Sequence, residues 1–255
     1  MKIDRLKKIE EILTESKSIS IDELCSVLQV SKNTVRRDIS ELEKRGFIQK
    51  VYGGIMLNSN ESPEPFAMRE IKNQLQKKQI AKLASNLVND GDVIYIDSGT
   101  TTMHMVPYLA DKVNLTIITA SVHVINAALC YNQLNVIATG GSLYRPSNAF
   151  VGASVINCLK NYNISKTFLA ATGFSLENGV TNTTPLESEI KHYVTQRSHT
   201  KVLLADSSKI GISSLMTFCQ LKDLDYLIME QEPQQKEYFN YFIENNVKLI
   251  TKQGQ

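Results

Sequence analysis

Residues Ser31–Gly54, SKNTVRRDISELEKRGFIQKVYGG, constrain the fold more than any other stretch, because a helix with two opposed faces runs directly into a strand, a turn and a strand. Ser31 offers an N-cap hydroxyl to the free N–H groups of a first turn, and Gly46 supplies the residue that leaves a helix with least strain. At about 100° per residue, Val35, Ile39 and Leu42 share one narrow stripe, while Asn33, Arg37, Ser40 and Lys44 point the other way. Such a helix fits the major groove of DNA, where Arg donates two bonds to guanine, Asn pairs with adenine, and flanking cations neutralise phosphate. The pattern assigns Asn33, Arg37 and Ser40 to base reading, and Lys32, Thr34 and Arg36 to the DNA backbone.

A basic amphipathic helix alone is an ordinary solvated surface. Here its partners precede it. Arg5–Glu15 carries Leu6, Ile9, Ile12 and Leu13 at helical spacing, and a second helix opens on the capping-box pair Ser20 and Glu23 before Leu24, Val27 and Leu28. Gln29 and Val30 form the turn into Ser31. This is the helix-turn-helix order. Phe47–Val51, Gly53-Gly54 and Ile55–Leu57 then read as a two-stranded wing, with Lys50 placed to touch phosphate. Between Lys32 and Lys50 six basic residues stand against Asp38, Glu41 and Glu43, while the whole chain carries only +2. DNA affinity must come from local placement and from two copies on adjacent half-sites.

At 255 residues the chain needs a second domain. The winged helix-turn-helix takes residues 1–57, the segment NSNESPEP (58–65) with two prolines is a linker, and 66–255 form an α/β domain. Phe66–Asn89 reads as helix, with Ile71, Leu75, Ile80, Leu83, Ala84 and Leu87 apolar. Strand candidates end at Asp97, Thr119, Gly141, Gly173, Asp206 and Met229, with helix-length segments between most of them. That alternation predicts a mainly parallel sheet, whose ligands bind outside the carboxyl ends of its strands. Cys25, Cys130, Cys158 and Cys219 show no metal spacing, so buried free thiols, no metal and no cofactor are expected. No apolar run reaches membrane-spanning length, which predicts a cytoplasmic protein without membrane contact.

After the first strand of this domain come Asp97-Ser98-Gly99-Thr100-Thr101-Thr102 and a helix starting near Met103. A glycine among hydroxyls at a helix N-terminus can cradle phosphate or carboxylate, although alone it could be an ordinary capped turn. It recurs in kind: Asp206-Ser207-Ser208-Lys209 adds a cation at another strand end, and Gly140-Gly141 and Gly173 offer close backbone approach.

TVRRDISELEKRG with YGG, DSGTTT, GG with FVG, and ADSSK occur in an order that resembles the DeoR family of bacterial transcriptional regulators over nearly the whole chain. DELCSVLQVSKNTVRRDI and NLVNDGDVIYIDSGTTT are most similar to the repressors of inositol catabolism within it. The resemblance implies a fold shared with ribose-5-phosphate isomerase and coenzyme A transferases, acting as a sensor of a phosphorylated sugar or polyol-derived effector. The positions it carries over are Asp97, Ser98, Gly99, Thr100, Thr101, Thr102, Gly140, Gly141, Arg145, Glu187, Lys191, Asp206 and Lys209. Thr119-Ala120-Ser121 departs from the family's Thr-Asn-Ser and lacks its amide.

The plainer alternatives are a solvated Arg145, a surface i, i+4 pair of Glu187 with Lys191, and packing or surface roles for the four histidines. The expected partners are double-stranded operator DNA and a second copy of the chain, in a dimer or tetramer. The rival class is a sugar-phosphate isomerase with a DNA-binding head, for which Glu187, Glu189 or Asp206 would serve as base; the regulator reading has no catalytic residue.

Overall fold

The structure, a computed structural model, describes residues 2–16, 18–44, 48–51, 54–57 and 64–252. These fall into two compact units divided between Pro65 and Phe66. Gly46, Phe47, Gly53 and the linker positions 58–63 lie outside the described residues.

The first unit comprises α1 (Lys2–Ser16), β1 (Ser18–Ser20), α2 (Ile21–Leu28), α3 (Lys32–Lys44), β2 (Ile48–Val51) and β3 (Gly54–Leu57). Glu23 N donates to Ser20 Oγ at 3.1 Å and Ser20 N to Glu23 Oε2 at 3.0 Å, which is the capping box that starts α2. Gln29 ends α2 in the left-handed region, φ 51°, and turns the chain into α3, where Thr34 N donates to Ser31 Oγ at 3.4 Å. Leu6, Ile9 and Leu13 of α1 pack with Leu24, Val35, Ile39, Leu42, Ile48 and Ile55 in one core. The expected two-stranded wing has a third strand, since β1 pairs antiparallel with β3 in the order β1-β3-β2. Ser-Ile-Ser is too short to show alternation. A side chain at Gly54 would put Cβ 2.5 Å from the Ile19 carbonyl oxygen, so β1 can approach β3 this closely only at glycine.

The second unit opens with α4 (Phe66–Ile71) and α5 (Gln74–Ser85). The expected single helix breaks because Asn73 adopts φ 54°. β4 (Val93–Ile96), β5 (Thr116–Thr119), α6 (Val122–Ala128) and β6 (Asn135–Ala138) then step to one side. A hairpin of β7 (Ser142–Tyr144) and β8 (Ala149–Val151) and then α7 (Ala153–Leu159) lead to β9 (Lys166–Leu169), which pairs with the other side of β4. There follow β10 (Gly173–Ser175), β11 (Gly179–Asn182), α8 (Pro185–Arg197), β12 (Thr200–Leu204), β13 (Met216–Cys219), β14 (Tyr226–Ile228), α9 (Lys236–Glu244) and β15 (Lys248–Ile250).

Seven of these strands form a parallel sheet in the order β15-β14-β12-β9-β4-β5-β6, and β10-β11-β13 form a separate antiparallel sheet. Ile94 and Ile96 pack with Ile80 and Ala84 of α5, whereas Tyr95 and Leu169 pack with Val155, Ile190, Val194 and Phe242. Both faces of the sheet are therefore covered by helices, which is why its strands read as unbroken apolar runs. β6 ends at Ala138 and β9 at Leu169, short of the expected Gly141 and Gly173, and Gly173 instead starts β10. The helix expected near Met103 is a 3-10 helix, Thr102–Leu109, containing Pro107.

Candidate functional site

On the first unit, α3 buries Val35, Ile39 and Leu42 and leaves Asn33, Arg36 and Arg37 exposed. Lys32 is exposed and pairs with Asp22 at 2.5 Å, and Lys50 is exposed and bonded to Glu43. Thr34 Oγ1 lies 3.1 Å from Ser31 Oγ, and Ser40 Oγ donates to the Arg36 carbonyl at 2.9 Å. Asp38 does not join this face. It is buried, and Arg5 grips it through Nε at 2.5 Å and Nη2 at 3.1 Å; the hydrogen bond to Asp38 raises the guanidinium pKa. With Asp38 turned inward, the outer face is more basic than the residue count suggested. Arg36 and Lys50 also border a hollow of about 260 Å³ between α3 and the wing, walled by Ile21, Ile39 and Ile55.

In the second unit β4, β5 and β6 step one way and β9, β12, β14 and β15 the other, so the sheet's switch point lies between β4 and β9. A crevice outside the carboxyl ends is the expected ligand position in such a sheet. Asp97 and Ala170 stand there. Ala170 N donates to Asp97 Oδ2 at 3.0 Å, while Lys191 Nζ, from α8, bonds to the same carboxylate and to the Ala170 carbonyl at 2.8 Å. The Asp97 and Lys191 side chains are only 3% and 4% exposed. Lys191 thus reaches Asp97 across the sheet end, and the alternative of a surface pair with Glu187 gives way to a buried clamp. Glu187 accepts from Ser98 Oγ at 3.4 Å and Thr184 Oγ1 at 2.9 Å.

The Ser98–Thr102 loop is shaped by this junction. A Cβ on Gly99 would sit 2.2 Å from Ala170 Cβ, so the loop lies against the end of β9 only because it lacks one. Thr102 Oγ1 donates to the carbonyls of Asp97 (2.7 Å) and Gly99 (3.0 Å). Among the described residues, no protein acceptor takes the N–H groups of Ser98, Gly99, Thr100 or Thr101. Burial, with Asp97 and Glu187 nearby, pushes the Tyr95 hydroxyl pKa well up. Burial and the charge of Glu187 also raise that of Tyr144, against the opposing charge of Arg69.

Beyond β12, Asp206 caps the turn Ser207–Lys209 by accepting from Ser208 N at 3.1 Å. Asn73 Nδ2 donates to Asp206 Oδ1 (3.1 Å) and Ser208 Oγ (3.4 Å), and Glu230 accepts from Ser207 N and Oγ. Lys209 is half-buried at the end of this turn. Gly140 and Gly141 are exposed, with φ of +65° and +117°, and a Cβ on Gly141 would approach the Val151 carbonyl to 2.8 Å. Their glycines let the β7–β8 hairpin close. Arg145 is exposed in that hairpin's turn, and no hydrogen bond among the described residues ties it to the Asp97 cluster. At Gly173, Ile212 occupies the room expected for a ligand, since a Cβ would lie 2.5 Å from Ile212 Cβ.

Arg5, Asp38, Asn73 and Glu230 had no signal in local spacing, because their partners are distant in the chain. Asn182 Nδ2 and Ser188 Oγ, near the start of α8, are buried without a partner among the described residues. Of the four thiols expected to be buried and free, three differ in burial. Cys219 is buried, its pKa pushed up to about 12 by burial, but Cys130 is exposed and Cys25 and Cys158 are half-buried.

A winged helix-turn-helix followed by an α/β unit with a cluster of polar side chains at its switch point defines a class of two-part DNA-binding regulators. The chain belongs to the DeoR family: residues 5–61 match the DeoR-like helix-turn-helix domain and residues 72–231 the DeoR C terminal sensor domain. It is 40% identical to the HTH-type transcriptional regulator IolR of Bacillus subtilis (strain 168) over 98% of this chain and 99% of that protein. It is 29% identical to the HTH-type transcriptional repressor GlcR of the same strain, over 97% and 95%. Among solved structures it is similar to ribose 5-phosphate isomerase A from Methanocaldococcus jannaschii, at 20% identity, TM-score 0.41 and 55% of each chain. A 4-hydroxybutyrate CoA-transferase from Porphyromonas gingivalis matches at 13% identity and TM-score 0.40, over 60% of this chain and 46% of that one.

Proposed function

We propose that the protein represses an operon for catabolism of a sugar or polyol, inositol by the subgroup resemblance, and leaves its operator when a phosphorylated intermediate binds the β4–β9 crevice. The observation that carries this is the Ser98–Thr101 loop at the switch point of the sheet, whose backbone N–H groups have no protein acceptor among the described residues. Oriented amides ahead of a helical turn suit a phosphate, and Lys209 supplies a cation on the neighbouring strand end. Thr100, Thr101, Glu187 and Asp206 offer acceptors to ligand hydroxyls, while Gly140, Gly141 and Arg145 form an outer wall. Asn33, Arg37 and Ser40 read bases, and Lys32, Thr34, Arg36 and Lys50 hold the DNA backbone. The chain works as a homo-oligomer in the cytoplasm, and no described helix is long and apolar enough to cross a membrane.

The regulator is not an enzyme in this reading. Ser98 and Thr184 each donate to one oxygen of Glu187 and hold it in place, leaving acceptor capacity for a ligand hydroxyl, and Lys191 holds Asp97. Effector must bind the operator-released arrangement more tightly than the operator-bound one. Thermal-shift measurement against a panel of phosphorylated sugars and inositol-pathway intermediates tests the site: a ligand should raise the Tm of the wild type, and Lys209→Ala should lose that rise while still binding operator. Full inducibility of Lys209→Ala would place the pocket elsewhere. Isomerase turnover abolished by Glu187→Gln would replace this reading with the enzymatic one.

A further inference from the structure

Nothing in the local sequence stops the helix that begins at Phe66. The stretch Phe66–Asn89 holds neither Gly nor Pro, yet α4 ends at Ile71 and α5 starts at Gln74. Between them Asn73 sits in the left-handed region at φ 54°, a conformation that Asn accepts more readily than most side chains.

Two contacts hold this break open. Asn73 Nδ2 donates to Asp206 Oδ1 at 3.1 Å and to Ser208 Oγ at 3.4 Å, just beyond the carboxyl end of β12. The Arg69 carbonyl, which would accept from Asn73 N in an unbroken helix, accepts instead from Nζ of the buried Lys77. Lys77 N bonds to the Asn73 carbonyl at 3.0 Å, so the amides of Gln74, Leu75 and Gln76 form a first turn without partners inside the helix. Ile71 and Leu75, 67% and 80% exposed, stand on either side of the break; at i and i+4 they would pack on each other if it closed.

The other end of α4 is seated as well. Phe66 is buried, stacks on His123 with ring centroids 3.8 Å apart, and donates its N–H to the Pro146 carbonyl at 3.2 Å. Only the six residues of α4, about 9 Å of helix, separate this seat from the break. Closing the break therefore cannot leave both ends where they are, and Phe66 is the first residue of the second unit after the linker.

We propose that Asn73 is a two-position switch between the effector crevice and the linker. Bound to Asp206, it keeps α4 and α5 as two helices, the arrangement that binds operator. An effector hydroxyl that takes the Asp206 carboxylate releases Asn73, the two helices join into one, and the Phe66 seat moves. The switch rests on the regulator reading and gives it a coupling element with two discrete states, one favoured by effector and the other by operator.

The test sets Asn73→Ala against Asn73→Gly in the full chain, with melting curves to verify folding. Both lose the amide, but Ala favours helix and disfavours a positive φ, whereas Gly does the reverse. By amide hydrogen exchange, Gln74, Leu75 and Gln76 should be at least tenfold better protected in Asn73→Ala than in Asn73→Gly. Operator affinity should fall at least fivefold in Asn73→Ala, while Asn73→Gly stays closer to the wild type. A merely structural role for Asn73 leaves these amides no better protected in the Ala variant than in the Gly one. That result, or wild-type operator affinity in an Asn73→Ala protein that shows the protection, would overturn the switch. In the wild type, a phosphorylated sugar that raises its Tm should protect the same three amides, and its binding without that protection would also overturn the switch. Failure of the regulator reading would appear separately, as wild-type protein that binds neither operator nor any phosphorylated sugar, and the exchange contrast between the two variants would still decide whether the break closes.

Discussion

Two buried carboxylates show how single residues set this molecule up. Asp38 would be a liability on a DNA-facing helix, yet Arg5 draws it into the core and ties α1 to α3. Arg5→Ala should therefore lower the Tm of the protein and weaken operator binding although Arg5 lies outside α3; unchanged melting and affinity would contradict that role. Arg37→Ala removes a proposed base contact, worth about 1–3 kcal/mol, and should weaken operator binding at least several-fold with effector binding intact, as read by fluorescence anisotropy. In the crevice, Lys191→Ala would leave Asp97 buried and unpaired. Loss of one partner of such a pair typically costs about 3–5 kcal/mol, which denaturant unfolding would register. The Asp38 and Asp97 pairs could not be read from the sequence, because 33 and 94 residues separate the partners.

Element by element, local chemistry was legible where a cap or a full apolar stripe announced it. Ser20 with Glu23 and Val35 with Ile39 and Leu42 fixed α2 and α3, and the VIYI and TIIT runs fixed β4 and β5. β1, β7, β8, β10 and β15 have three residues each, too few for a period, and the break at Asn73 depends on a contact with Asp206 that lies 133 residues away. Entry to β4 yields a pH test. Asp92 binds Lys166, Asn89 N at 2.7 Å and Ser165 Oγ at 3.2 Å, linking the starts of β4 and β9. Burial disfavours its charge, but these bonds prevail and hold its pKa below the usual value. A lowered folded-state pKa adds stability above the unfolded value near ~4 and loses it as pH falls through the folded one. Asp92→Asn should thus lower Tm at pH 7 and differ progressively less from wild type below about pH 4. A gap independent of pH would remove Asp92 as an ionic clamp.

At the scale of the whole molecule, the ordered motifs gave the division into a DNA-reading head and an α/β sensor. They did not separate residues that face a ligand from residues that build the place for one. Gly99 and Thr102 shape the loop, Asp97 and Lys191 clamp β4 to β9, and Gly173 makes room for Ile212. The loop amides and Lys209 remain the proposed phosphate contacts. The measurement nearest the central claim is operator binding by the full chain, followed by anisotropy with and without a ligand that raises its Tm. Operator affinity should fall at least tenfold with ligand for the wild type and stay unchanged for Lys209→Ala. Equal operator affinity of the wild type with and without a ligand bound at the crevice would contradict the account.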